Sequence, residues 1–367
     1  MKDFVVRGLS DPDFRKLQKR KEDDGFGEGS WKEWLEHLAA DVALEDSLSD
    51  RFHRATREKL SDLWLANFAR NLASIMGPEA RALGDLLLDL QVPAAPPAGP
   101  ALVIGGGPSL REHRHLEMLA ESCPPGLMLI ATDRILIPLL RLGVIPDLVV
   151  SIDGDHEVIA RYVDDPLVDQ HGSKLRVAMA SMGAPPVVER LVRAGATLYW
   201  FHPLFDDPRR RGSLTALQRG MTRSARWPDG LPAVSCGGHA GATGWVLAHA
   251  LLRRSPIGLI GLDLGYPVGY PLERTQCYPV ISALTGGDPD AVQAYFTEIY
   301  NPDLGRPAVL DVMFAEFRRH FLEMLARVPS WVRTCNCTQG GSLFGPGITT
   351  LPLARFLAQA ARTEGCA

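Results

Sequence analysis

From Ala101 onward the chain alternates short apolar runs with segments of helical periodicity. The runs ALVIG (101–105), LMLIATD (127–133), DLVVSID (147–153), LRVAMAS (175–181), TLYWF (197–201) and IGLIGLD (257–263) predict buried strands. Between them, RILIPLLRLG, PPVVERLVRAG and GATGWVLAHALLRR predict helices, and another follows the first strand to about Glu121. Continuous rather than alternating apolar strands, separated by helices, imply a sheet covered on both faces. The expected class is α/β, with a Rossmann-like, doubly wound, mostly parallel sheet. Residues 270–300 lack strong periodicity and read as a lid or insertion. Helices are expected over Val309–Arg327 and Pro352–Arg362, with CNCTQGGSLFGPGI (335–348) as a loop between them.

The first hundred residues follow another pattern. Phe4–Gly8 predicts a short strand and two helices follow, with Asp11 and Ser30 at their N-caps and Gly25–Gly29 as the turn. Residues 46–91 continue as helices, in LWLANFARNLASIM and around Leu83–Leu90, and QVPAAPPAGPA then reads as a stiff linker. The expected organisation is therefore a strand–helix–helix segment (1–45), a helical segment (46–91) and a linker (92–100). A nucleotide-binding α/β domain (101–350) and a C-terminal helix (351–367) complete it. The first segment resembles the ribbon-helix-helix module. That likeness implies a homodimer formed through the N-terminal segment, or DNA association; a docking or dimerisation element is the plainer reading.

Composition narrows the function classes. Apolar residues make up 46% and charged residues 22% of the 367 positions, as in ordinary globular proteins. A net charge of −4 disfavours non-specific nucleic-acid binding. The chain has no apolar signal core at its start and no run of about 18 apolar residues, so no membrane association is expected and a cytoplasmic location is. Six cysteines without a paired C-x-x-C spacing argue against a zinc site or a disulfide framework.

Ligands of open parallel sheets bind beyond the C-terminal strand ends. The predicted strands deliver there the loop Gly105-Gly106-Gly107-Pro108-Ser109 and the carboxylates Asp133, Asp153 and Asp263. Glycines let backbone approach a ligand, and free amides opening a helix favour an anion. The loop lacks both the dinucleotide fingerprint and the P-loop Gly-Lys-Ser/Thr. Gly237–Gly244 repeats the device, with Gly238 and Thr243 as phosphate contacts and His239 as a candidate acid–base; close helix–sheet packing is the alternative. Asp153-Gly154-Asp155 offers two carboxylates for a hard cation such as Mg²⁺, unless Asp155 caps a helix. Asn336 and Thr338 belong to a glycine-rich loop that either closes on ligand or makes a tight turn.

The ordered motifs GGGPSL, ATDRILIPLLRLGVIPDLVVSID, PIGLIGLDLGY and NCTQGGSLFGPGI resemble the central domain of the Maf (motility-associated factor) proteins, over roughly residues 100–350. The superfamily includes the MptE-type 6-hydroxymethylpterin diphosphokinases. The resemblance implies nucleotide-phosphate contacts at Gly105, Gly107, Pro108 and Ser109. It also implies pocket carboxylates at Asp133 and Asp153, with Asp263 near the transferred group. Ile152-Asp153-Gly154-Asp155 is similar to the diphosphokinase element. Gly237–Gly244 has no aspartates where those enzymes are acidic, and His202-Pro203-Leu204-Phe205 stands where His-Gly-Asp-Asn is expected.

The leading expectation is a transferase passing a CMP-activated nonulosonic acid to a protein acceptor. The alternative is a 6-hydroxymethyl-7,8-dihydropterin diphosphokinase using Mg-ATP. A non-catalytic nucleotide-sensing or DNA-associated protein is the third reading.

Overall fold

Residues such as Val103, Ile130 and Val150 are wholly buried, and their stretches pair as neighbouring strands because backbone groups removed from water must bond to one another. The strands are β1 (Arg81–Ala82), β2 (Ala101–Ile104), β3 (Met128–Thr132), β4 (Leu148–Ser151), β5 (Arg176–Ala180) and β6 (Thr197–Pro203). They continue with β7 (Ala233–Val234), β8 (Ile257–Ile260), β9 (Phe296–Asn301), β10 (Arg306–Asp311), β11 (Thr334–Asn336) and β12 (Ile348–Thr350). The computed structural model describes residues 11–23, 30, 31, 33, 34, 60–155, 160–204, 206, 208, 209 and 213–363.

The main sheet runs β1-β6-β5-β4-β3-β2-β8-β11-β12, with β7 beside β6, and every pair in it is parallel. From β2 the chain winds outward through β3, β4, β5 and β6, then returns to place β8 on the other side of β2. The strand order therefore reverses between β2 and β8, where doubly wound sheets open a crevice.

Both faces are covered. Val103, Ile130 and Val150 pack under Trp245 and Phe321. On the other side, Leu102 and Leu129 meet Leu116, Leu139 and Phe356, and further along Val177 and Trp200 meet Phe68, Ile75 and Leu191. The fold is a Rossmann-like α/β sheet.

Several elements differ from the sequence reading. Thr334–Asn336 and Ile348–Thr350, which overlap the two ends of the expected 335–348 loop, are strands that extend the sheet beyond β8. Three-residue strands are too short to show periodicity. Arg306–Asp311 pairs antiparallel with β9, so the expected helix from Val309 begins at Val312, capped by Asp311, whose Oδ1 accepts the Phe314 amide at 2.8 Å. The single helix expected after β2 breaks at Arg114 (φ 52°) into Ser109–Glu112 and His115–Ser122.

The chain forms two units, Met1–Ala55 and Thr56–Ala367. Residues 60–91 are not set apart by the proline-rich stretch: β1 joins the sheet through β6, and Phe68 and Ile75 of the helix over 60–75 lie in its core. In the N-terminal unit Asp11–Asp23 is helical. Ser30 Oγ accepts the Glu33 amide at 3.1 Å while Glu33 Oε2 accepts the Ser30 amide at 3.0 Å, a capping box. The expected strand Phe4–Gly8 lies outside the described residues. So does most of the segment through which a homodimer was expected.

Candidate functional site

The turn after β2 enters the crevice at the reversal point and lies directly on the end of β8. A Cβ on Gly107 would stand 1.8 Å from Asp263 Oδ2, so only glycine fits. Ser109 Oγ donates to Asp263 Oδ2 at 2.8 Å, and the Ser109 amide donates to Oδ1 at 3.3 Å. The anion at the start of this one-turn helix is therefore the protein's own carboxylate. Gly105 and Gly107 donate their amides to Ile260 and Gly261 carbonyls at 2.8 Å, leaving Gly106 as the loop glycine whose amide bonds to no other described residue. The expected cradle of naked amides is thus mostly satisfied internally, and Pro108 and Ser109 serve the turn itself.

Positive charge beside this turn comes from Arg134, which follows Asp133 directly. Its side chain crosses Gly106, where a Cβ would meet Arg134 Cδ at 2.7 Å, and its guanidinium stands 6.0 Å from the Tyr162 ring centroid. Next along the rim, Asp133 Oδ2 accepts the Ser151 hydroxyl at 2.7 Å and Oδ1 accepts the Arg134 amide at 2.8 Å. Desolvation pushes Asp133 up to about 6, against those bonds and with a further upward push from Asp153. Asp263 is likewise pushed up to about 6 by desolvation despite its bonds to Ser109. Asp153 is the solvent-exposed carboxylate of the three, and burial of part of its carboxyl raises its pKa as well. The rim thus runs from Asp263 through Gly107 and Gly106 to Arg134, Asp133, Ser151 and Asp153.

For a cation, the donor set is Asp153 with Asp133 or Asp155; Asp153 pushes the Asp133 carboxyl upward, and Asp155 does the same to Asp153. Asp153 Oδ1 already accepts the Asp155 amide at 3.0 Å. No cluster of three His, Cys, Asp or Glu converges among the described residues. One or two carboxylates with remaining lone pairs suit Mg²⁺ completed by water and phosphate oxygens. The residues fit that kind of site and no closed cage.

Other expected contacts have internal duties. His239 is the N-cap of the helix Ala240–Val246: Nδ1 accepts the Ala242 amide at 3.2 Å, and burial lowers its pKa to about 4. Its ring lies 5.2 Å from that of Phe317, and a Cβ on Gly238 would strike Phe317 Cε1 at 2.3 Å. The Thr243 hydroxyl bonds to the His239 carbonyl at 3.1 Å, and a Cβ on Gly244 would lie 3.1 Å from Val103 Cγ1. This second glycine stretch packs closely between helix and sheet, and His239 caps the helix through Nδ1 while its Nε2 is buried without a hydrogen-bond partner among the described residues. Asn336 Nδ2 donates to the Leu343 carbonyl at 2.7 Å, its Oδ1 accepts the Thr338 amide at 3.0 Å, and Thr338 Oγ1 reaches the Leu259 carbonyl at 3.4 Å. Both residues shape the 336–343 loop instead of facing a ligand. That loop presses Gly341 onto Asp263, where a Cβ would lie 1.9 Å from the backbone oxygen.

Sequence reasoning missed Arg134, Ser151, Tyr162 and Arg306 as site residues, and the support that the expected helix, found over 60–75, gives the site. Asn67 of that helix donates to the Gly154 and Met182 carbonyls at 2.9 and 3.1 Å, and Asn71 to the Ser181 and Gly183 carbonyls at 3.1 and 2.8 Å. Arg306, on the β9–β10 hairpin, donates to the Gln339 carbonyl at 2.7 Å and meets Glu112 at 3.3 Å. A cation immediately after a strand-end acid was the one legible signal, in Asp133-Arg134.

Residues 66–269 match the model of a family described as 6-hydroxymethylpterin diphosphokinase MptE-like. No curated protein sequence matches the chain. Among solved structures, a MAf glycosyltransferase from Magnetospirillum magneticum AMB-1 is similar, at 14% identity and a TM-score of 0.48. The alignment covers 74% of this chain and 38% of that one, so the chain spans well under half of that relative's length. No helix among the described residues is long and apolar enough to cross a membrane.

Proposed function

Because the chain belongs to the 6-hydroxymethylpterin diphosphokinase MptE-like family, we propose that it is a transferase that binds a nucleotide donor along the β2–β3–β4 rim and passes a group from it to an alcohol oxygen. The observation that carries this reading is the convergence, at the reversal point of the sheet, of the glycine turn with Arg134 and two carboxyls pushed up to about 6. Arg134 and the Gly106 amide supply donors for the donor phosphate. A carboxylate can take the acceptor's hydroxyl proton as the new bond forms and the nucleotide leaves. Asp153, whose pKa is raised by burial, has the access for that step. Asp263 holds the turn against the transferred group.

The finer reading is transfer of a CMP-activated nonulosonic acid to a protein hydroxyl. It is favoured by Leu204, which stands where the acid of the diphosphokinases' His-Gly-Asp-Asn element is expected, while His202 beside it is buried between Ser181 Oγ (2.8 Å) and Thr222 Oγ1 (3.1 Å). The second reading is diphosphoryl transfer from Mg-ATP to a pterin hydroxymethyl group, favoured by the family match and by the Asp133–Asp153 pair. In that case Asp153 with Asp133 or Asp155 would hold Mg²⁺, which would neutralise phosphate charge.

A thermal-shift panel of CMP, CMP-sugars, ATP with and without Mg²⁺, and pterins tests both. A ligand at 100 times its Kd adds roughly 2.7 kcal/mol of stability. Stabilisation by CMP compounds alone supports glycosyl transfer. Stabilisation by Mg-ATP together with a pterin supports diphosphoryl transfer. Indifference to every nucleotide, with salt-dependent DNA binding instead, would overturn the transferase reading.

A further inference from the structure

At the opposite edge of the sheet, the N-terminal strand ends enclose a polar cleft of about 270 Å³ lined by Arg81, Asp89, Ser173, Lys174, Arg176, Thr197 and Tyr199. The register explains why they meet. Arg81 pairs with Tyr199 and Arg176 with Thr197, and parallel partners project to the same face; Thr197 and Tyr199, two apart on β6, share that face. The turn Gly172–Lys174 then brings Ser173 and Lys174 to the mouth.

Three cations and one carboxylate give the lining a net charge of +2. One oxygen of the carboxylate is already engaged: Asp89 Oδ2 accepts from both the Arg81 guanidinium and the Tyr199 hydroxyl, while Asp89 also attracts Arg176. By contrast, the side chains of Lys174, Arg176, Ser173 and Thr197 have no hydrogen-bond or ion-pair partner among the described residues. Beyond the cleft, Asp147 attracts Arg176, but its carboxylate also faces Arg254 and accepts the Leu129 amide at 2.7 Å. Like charges gathered in a concavity repel one another, and an anion that fills it removes the repulsion while using four free donors. An ammonium, a guanidinium and two hydroxyls around a small volume match the several oxygens of one tetrahedral dianion.

We propose that this cleft is a second ligand site, separate from the β2–β8 crevice, which binds a dianionic phosphate group. Lys174 and Arg176 are its charged ligands, Ser173 and Thr197 its neutral donors. Arg81 and Tyr199 hold Asp89 back from the anion. The phosphate group arrives either as free inorganic phosphate or on a small phosphomonoester.

Hydrogen exchange of the full chain, with and without inorganic phosphate or glycerol 3-phosphate, tests this assignment. Both probes are expected to slow exchange at 172–176 and 197–199, more weakly at high salt. A larger effect of the monoester identifies the ester as the source, and equal effects identify free phosphate. Lys174→Gln/Arg176→Gln should weaken the protection about ten-fold or more in apparent Kd, the scale of losing charge-assisted bonds in a half-exposed cleft. Lys174→Glu, at an exposed position, gives the same comparison should the double variant fold poorly. Protection confined to 105–110, or unchanged in Lys174→Glu, overturns the proposal.

Discussion

The Ser109 hydroxyl and amide both donate to the carboxylate of Asp263, joining the turn after β2 to the end of β8 across 154 positions of sequence. This clamp fixes the glycine turn at the point where the strand order reverses. Removing it should loosen the site before it unfolds the protein. Ser109→Ala leaves a buried carboxyl short of its partner, and a loss of about 1–3 kcal/mol is expected in denaturant unfolding. Slower turnover or weaker nucleotide binding should accompany it.

Asp263 also sets a pH dependence. Its pKa stands at about 6 in the folded protein against 3.8 as the ordinary value, so between those limits the folded chain binds more protons than the unfolded one. The stability associated with the protonated carboxyl is present at low pH and lost as pH rises through about 6. Denaturant midpoints at pH 4.5 and 7.5 should therefore show the wild type losing roughly 2 kcal/mol more than Asp263→Asn over this interval. Parallel pH slopes for the two proteins would contradict the assignment. Asp133, raised to about 6 by the same desolvation, predicts the same for Asp133→Asn.

Two glycines with similar backbone angles should respond very differently to alanine. Gly341 (φ +74°) would place a Cβ 1.9 Å from the Asp263 backbone oxygen, whereas Gly143 (φ +73°) has nothing within 4 Å. Gly143→Ala should cost only the left-handed strain, about 1–2 kcal/mol. Gly341→Ala must also displace the end of β8 and should cost several kcal/mol in total. Melting temperatures of the two variants check the ordering.

Arg134→Ala should separate binding from stability. The guanidinium is exposed and forms no ion pair among the described residues, so its removal should shift stability by less than about 0.5 kcal/mol. Nucleotide affinity should fall about ten-fold or more, the scale of a charge-assisted bond to phosphate. Calorimetric titration of the nucleotide identified by the thermal-shift panel provides the measurement. Unchanged affinity would remove Arg134 from the site.

Asn67→Ala tests whether the helix over 60–75 supports the site. The side-chain amide bonds to the carbonyls of Gly154 and Met182, 87 and 115 residues away, and both would be left unpaired inside the protein. A cost of roughly 2–4 kcal/mol is expected, together with faster hydrogen exchange at 153–155, next to Asp153.

The sequence by itself determined the sheet's central strands, their parallel sense and the acids at their ends. Runs such as ALVI, MLIAT and LVVS are buried on both faces, and that burial is written in composition. It also placed the glycine turn correctly, because a strand-to-helix turn that tight needs residues without a Cβ. Tertiary structure alone decided what each group faces. Whether the amides of 105–109 were free depended on β8 carbonyls and a carboxylate more than 150 positions away, and whether His239 was available depended on one backbone amide and Phe317. Strands as short as Arg81–Ala82, Thr334–Asn336 and Ile348–Thr350 carry too few side chains for a period; only neighbours already in the sheet can recruit them. Local pattern reports burial, whereas the partner of a buried polar atom is chosen by segments that meet only in the folded chain.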